Sequence, residues 1–327
     1  MQSHLPDDAA ALFADLIARF RGERGGKVSA FLPDVDTTDP DTFAIAAMTV
    51  DGKTAQAGDH AHRLTLQSMS KPFIYGLALD RLGRAEVHRK VSVEPTGEAF
   101  NSIIELEEDH LPYNPMINSG AIAMSALLHH ADPDAAADWT MEMFSAYLGR
   151  QAELHPSVVK EGLGAGHRNR AIAHLLRHFE VIGDDIEGAL RLYARQCAVT
   201  ATTSELAMMA ATLANGGVNP ATGARAVEPQ HLRDVLTLMF TCGMYDSSGS
   251  WAYTVGLPAK SGVSGGILAV VPGKMGLAVY SPRLDDHGHS VRGVEVFKEW
   301  SAAWGLSIFH VGAQERTRTS TMLLAST

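Results

Sequence analysis

The sequence predicts a mixed α/β (α+β) fold in which one antiparallel sheet, assembled from both ends of the chain, is flanked by helices and interrupted by a helical lobe. Three observations point there. Strand-like runs bounded by turn residues occur near residue 50 and again near residue 273; helical periodicity dominates from about 69 to 242; and one more amphipathic segment follows the second pair of strands. At roughly 100–200 residues per domain, the 327 residues suit a single two-lobed domain over 1–305. Its sheet lobe takes about 1–68 and 243–305 and its helical lobe about 69–242, with a C-terminal tail over 306–327.

The elements follow in order. Residues 7–22 repeat Ala, Leu and Phe at three- and four-residue spacing and stop at Gly22, Gly25 and Gly26, the pattern of an amphipathic helix. Phe43 to Val50 is apolar and β-branched, ends in Asp51-Gly52 and resumes at Thr54, which predicts a hairpin. AIAMSALLHH, NRAIAHLLRHF, IEGALRLYARQ and SELAMMAATLANGG are the clearest helical segments of the middle. ILAVV (267–271) and MGLAVYS (275–281), separated by Pro272-Gly273-Lys274, predict a second hairpin, and Ser290 to Trp304 a last helix. ERTRTSTMLLAST has neither periodicity nor a partner strand, so a frayed end is expected.

Composition narrows the function. Hydrophobic residues make up 46% and charged residues 20%, as in globular proteins. With 27 Lys+Arg against 37 Asp+Glu the net charge is −10, the wrong sign for a protein that neutralises phosphates, so no nucleic-acid partner is expected. Two cysteines, Cys197 and Cys242, are too few for a disulfide framework and fit a reducing compartment. MQSHLPDDAAALFADLIARF carries aspartates where an export signal is basic, and the longest apolar stretches, such as GAIAMSALL, fall short of the ~18–20 residues of a membrane span. The expectation is a soluble, cytoplasmic protein without a membrane partner.

Two S-x-x-K matches occur, Ser68 to Lys71 and Ser157 to Lys160. Strand-like HRLTLQ leads into Ser68 and helical PFIYGLALDRLG follows, with Pro72 tolerable in a first turn. Ser68 then sits at the positive end of a helix with the Lys71 amine one turn on, an arrangement for a nucleophile and its base once the lysine is neutral. Downstream, Lys260-Ser261-Gly262 leads into a strand; in penicillin-binding proteins and serine β-lactamases a K-[ST]-G box follows S-x-x-K in the same order. GVSGG (262–266) also fits a nucleophile elbow around Ser264, but an elbow needs a helix after the turn and ILAVV reads as strand. GLGAG (162–166) follows no strand and is read as a loop. The pairs His60/His62 and His287/His289 lack a third ligand at a recognisable spacing, so no metal site is expected.

LQSMSKPFIYGLAL (66–79), VEPTGEAFNSI (93–103), NPMINSGAI (114–122), GHRNRAIA (166–173), CGMYDSSGSWAY (242–253) and VGLPAKSGVSGGILAVVP (255–272) together resemble the serine-dependent glutaminase family, in order and over roughly 27–304. The resemblance implies a β-lactamase-like fold, hydrolysis of L-glutamine to L-glutamate and ammonia, no metal or organic cofactor, and a homodimer or homotetramer. It casts Ser68 as nucleophile, Lys71 as its base, Tyr245 and Tyr193 as active-site phenols, either of which could relay a proton to the departing ammonia, and the N–H groups of Ser68 and Val263 as oxyanion hole. Lys260 would keep the site electropositive, holding Lys71 neutral and a tyrosine oriented. Asn118, Glu161 and Asn169 match positions that contact the amino-acid end of the substrate, a carboxylate for the α-ammonium and amides for the α-carboxylate. Two departures stand out. Phe31, in Ala30-Phe31-Leu32-Pro33, replaces a substrate-contacting tyrosine, and Glu161 to Asn169 spans eight positions where the family commonly has seven. The competing readings are another serine acyl-hydrolase of this fold and a non-catalytic glutamine-binding relative.

Overall fold

The computed structural model describes residues 5–30, 38–97, 106, 110–164 and 166–310. Its centre is a five-stranded antiparallel sheet in the order β3-β2-β8-β7-β6. The two expected hairpins form its middle: β2 (Ala44–Thr49) with β3 (Thr54–Gly58) turns through Asp51-Gly52, and β7 (Gly266–Val271) with β8 (Met275–Tyr280) turns through Pro272-Gly273-Lys274. Strand β2 pairs with β8, Ala44 opposite Tyr280, which joins the two ends of the chain, and β6 (Ala259–Ser261) closes the far edge against β7.

Strands β2, β7 and β8 are buried along their whole length, because both faces of the sheet are covered. Alternate side chains feed two separate cores. Ile45, Ala47, Ile267, Ala269, Leu277 and Val279 point to one face, where Phe13, Leu16 and Ile17 of α1 (Ala9–Phe20) meet Val296, Phe297 and Trp300 of α12 (Val291–Trp304). Ala44, Ala46, Met48, Leu268, Val270 and Ala278 point to the other, into the core of the helical lobe. That lobe consists, among the described residues, of α2 (Lys71–Leu82), α3 (Arg84–Val87), α4 (Asn118–Ala131), α5 (Ala136–Leu148), α6 (Pro156–Gly164), α7 (His167–His178), α8 (Ile186–Ala198), α9 (Thr203–Ala214) and α10 (Pro229–Cys242); α11 (Ser248–Thr254) follows it.

Helix α9 starts at Thr202, whose hydroxyl accepts from the Glu205 N–H while the Glu205 carboxylate accepts from the Thr202 N–H. It lies so close to the sheet that a Cβ built on Gly276 of β8 would fall 2.1 Å from the Ala211 nitrogen and 2.2 Å from the Ala207 carbonyl oxygen. Ala207, Ala210 and Ala211 keep that helix face thin.

Two local features differ from the sequence expectation. The strand-like segment before Ser68 is β4 (Arg63–Thr65), and it pairs outside the main sheet with β5 (Thr200–Thr202), a strand inside the stretch where helical periodicity dominates. Three residues are too few to show a strand period, and only the distant partner makes them one. Segment 162–166, expected as a loop, is helical through Gly164, because α6 packs against α8: a Cβ on Gly162 would meet that of Ala194 at 3.1 Å. Toward the end of the described residues, Leu306 is buried, the Ile308 N–H donates to the Gly256 carbonyl at 2.9 Å, and the Phe309 ring lies 5.5 Å from that of Phe240. No helix among the described residues is long and apolar enough to cross a membrane. The contact at Gly276 predicts that Gly276→Ala destabilises the protein in urea unfolding by about 1–3 kcal/mol. Gly22→Ala, where nothing lies within 4 Å, should stay within about 0.5 kcal/mol of the parent; equal stability of the two variants would remove the close approach as a constraint.

Candidate active site

The first candidate residues are placed by the junction of β4 and α2. The Leu66 N–H donates to the Val199 carbonyl at 2.8 Å, anchoring the chain beside α8. Gln67 then takes φ +47°, a left-handed conformation that costs a non-glycine residue about 1–3 kcal/mol. A 3-10 turn over Gln67–Ser70 carries Ser68, and Lys71 opens α2 with Pro72 in its first turn. Both Ser68 and Lys71 are buried, and the Lys71 Nζ donates to the Asn118 Oδ1 at 2.7 Å. Burial pushes the Lys71 amine down to about 7. Asn118, the first residue of α4, passes the chain of hydrogen bonds on through its Nδ2 to the Asn169 Oδ1 of α7 at 3.0 Å.

Tyr245 enters from the sheet side. It stands in a 3-10 turn, Tyr245–Ser247, at φ +53°, and the Ser248 hydroxyl donates to its carbonyl at 2.8 Å. The Lys260 Nζ lies 3.8 Å from the centre of its ring and the Lys71 Nζ 5.4 Å, both within cation–π range. Lys260, on β6, is fully buried and donates from Nζ to the Ser261 carbonyl at 2.8 Å. Burial and then the charge of Lys71 push the Lys260 amine well below its ordinary value. Burial also raises the Tyr245 phenol far above its usual value, with Ser68 the neighbour that opposes it. Tyr193, on α8, is raised likewise by burial, with Cys197 and Tyr245 adding to the shift.

A cavity of about 270 Å³ opens over these groups, and its lining brings together Ser68, Asn118, Glu161, Asn169, Tyr193 and Val263. Glu161 is exposed on α6 (Pro156–Gly164), and Asn169 lies in the first turn of α7 (His167–His178). Val263 lies in the turn between β6 and β7, where the Gly262 N–H donates to the Gly266 carbonyl at 2.9 Å. Phe31 lies outside the described residues; Ala30, before it, lines the cavity. Lys71, Lys260 and Tyr245 stand behind the lining as a buried layer.

Other sequence candidates fall elsewhere. Ser157 lies on α6 and Lys160 is exposed there. Ser264 is buried in the turn before β7, with a strand and not a helix after it. No group of three or more His, Cys, Asp or Glu among the described residues could hold a metal ion. Sequence reasoning missed Gln67, Leu190, Cys197 and Arg168, which also line the cavity. The signal for two of them was present: Leu190 and Cys197 stand three residues before and four after Tyr193 on one helix, hence on the same face. It also missed His289, which is buried with its ring stacked on Tyr245.

Known proteins share this chain's sequence pattern and fold. The family model described as Glutaminase matches residues 26–309. A glutaminase of Trichormus variabilis is 49% identical over 304 residues, covering 93% of this chain and 91% of that protein. One of Microcystis aeruginosa is 48% identical over 291 residues, covering 89% and 86%. Among solved structures, the probable glutaminase ybaS superposes with a TM-score of 0.90 at 36% identity, over 94% of this chain and 99% of that one. Mglu in its glutamate form gives 0.88 at 38% identity, over 94% and 72%. The fold is therefore the β-lactamase-like one, and this chain belongs to the glutaminase family, the hydrolysis of glutamine to glutamate being its reaction.

Proposed function

We propose that glutamine is hydrolysed through a γ-glutamyl ester on Ser68. The observation that carries this reading is the Lys71 amine, buried, held by Asn118 and one turn from a serine that faces the cavity. A lysine at about 7 is neutral often enough at neutral pH to accept the Ser68 proton. The Ser68 oxygen attacks the side-chain amide carbon, and the oxyanion is met by the N–H groups of Ser68 and Val263. The C–N bond then breaks, and the proton held by Lys71 reaches the departing nitrogen directly or through the Tyr245 or Tyr193 phenol, so that ammonia leaves. Water adds to the ester with Lys71 again as proton acceptor, and glutamate is released with Ser68 restored. Lys260, its amine pushed well below the ordinary value, stays neutral rather than keeping the site electropositive, and its hydrogen bond to the Ser261 carbonyl holds it beside the Tyr245 ring while Lys71 cycles its proton.

The amino-acid end of the substrate fits the opposite wall. Glu161 offers a carboxylate for the α-ammonium. Asn118 uses one Nδ2 proton on Asn169 and keeps the other, and the Asn169 amide nitrogen keeps both, so each has a donor for the α-carboxylate. The family resemblance supports a homodimer or homotetramer, and two buried thiols, Cys197 and Cys242, support a reducing, cytoplasmic setting.

Ser68→Ala should lower ammonia release from L-glutamine by at least about 10,000-fold while the protein stays folded. Ser157→Ala should be silent, and substantial turnover by folded Ser68→Ala would end the covalent route. Glu161→Gln removes one charged partner of the substrate, typically about 1.5–3 kcal/mol, or roughly a 10- to 150-fold rise in KM with kcat nearly kept. Steady-state kinetics check it, with N-acetylglutamine as a second substrate: efficient hydrolysis of the blocked amide, or an unchanged KM, would remove Glu161 from the recognition of the α-ammonium.

A further inference from the structure

One loop touches the site without belonging to the reacting set. In Asp285–Ser290 the Asp285 carboxylate accepts from the N–H groups of His287 at 3.0 Å and His289 at 2.9 Å. That tight turn sends the two histidines to the same neighbour. On the outside, the His287 Nδ1 lies 2.8 Å from the Asp246 Oδ2, and Asp246 follows Tyr245 directly. On the inside, His289 is 1% exposed, its Nδ1 is 3.0 Å from the Ser261 hydroxyl, and its ring lies nearly parallel to that of Tyr245 at 6.0 Å between centroids. Ser261 is the residue whose carbonyl receives the Lys260 amine. The loop thus grips both the turn that carries Tyr245 and the strand that carries Lys260.

The turn needs such a grip. At φ +53° Tyr245 holds a conformation that bulky residues rarely adopt, and such a residue persists only where its surroundings over-determine it. We propose that the loop is a two-histidine clasp and that His289 is a positioning residue, fixing the Tyr245 ring against Lys260 so that its phenol faces Ser68. The proposal rests on Tyr245 taking part in the reaction.

The charges around His289 suit this role. It faces Lys260 of β6, Tyr245 and Asp246 of the 3-10 turn, and Asp285 and His287 of its own loop. Burial takes its pKa down to about 4; Asp285 and Asp246 oppose the shift, and Lys260 and His287 add to it. The imidazole is therefore neutral across the neutral range and adds no positive charge beside Lys71 and Lys260. His287 is pushed the other way, chiefly by its hydrogen bond to Asp246, so its imidazolium form is favoured in the outer contact and is lost as pH rises through the His287 value.

The test is a set of variants, His289→Ala, His289→Asn and Tyr245→Phe, alone and combined, each checked for folding. Glutamine kinetics are read beside the ring resonances of 13C-tyrosine protein, in which seven tyrosines are present and that of residue 245 is the one lost in Tyr245→Phe. His289→Ala should lower kcat about 10- to 100-fold with KM within about threefold, and cost less than about threefold once Tyr245→Phe is already in place. His289→Asn, whose amide still reaches the Ser261 hydroxyl, should recover most of the loss. The Tyr245 resonance should move in His289→Ala. A kcat within twofold of the parent, an equal loss in both backgrounds, or an unmoved Tyr245 resonance would each overturn the clasp. If Tyr245→Phe alone keeps full activity, the catalytic role of Tyr245 falls, and the resonance decides separately whether His289 positions the ring.

Discussion

The arrangement of this protein depends on the burial of two lysine amines around one tyrosine ring. An ammonium removed from water loses so much hydration that it gives up its proton near neutrality unless a carboxylate stands beside it. Lys71 donates to an asparagine side-chain carbonyl and Lys260 to a backbone carbonyl. These acceptors orient the amines without supplying the negative charge that would restore an ordinary pKa. Exclusion of water thereby fits a lysine for the proposed role of base.

The fold supplies that exclusion. The sheet puts Lys260 on its edge strand β6, buried on both sides, and the helical lobe puts Lys71 at the start of α2. The two lobes are sewn together beside the site by the short ladder of β4 and β5 and by α9 lying flat on β8. Two residues with positive φ, Gln67 and Tyr245, stand on either side of the seam. Each makes the chain turn so that a side chain meets the partner lobe, and each requires a rigid setting, which the doubly covered sheet provides.

Much of this could be read from the residues. The hairpins at Asp51-Gly52 and Pro272-Gly273 appear because turn chemistry is local, and the helices appear because their apolar spacing is. Ser68, Lys71 and Lys260 were found through two boxes in a fixed order, and Asn118, Asn169, Tyr193 and Tyr245 through resemblance. Strand β5 was not legible, since three residues acquire their strand character only from β4. The helical character of 162–164 was hidden by glycines that read as punctuation, although Gly162 serves the packing of α6 on α8. His289 was invisible for a different reason: its polar, loop-like neighbourhood suggests solvent, and only the third dimension puts it against Tyr245.

The proposed mechanism requires that burial bring the Lys71 amine down to near neutrality. Its most direct test is an NMR titration of protein carrying 13C-ε-lysine, with the Lys71 signal identified by its loss in Lys71→Ala. The account predicts a midpoint near 7, with the neutral amine, and hence activity, gaining as pH rises through it. A midpoint close to the ordinary lysine value of 10.5 would mean that Lys71 stays charged at neutrality, and the Ser68 proton would need another acceptor.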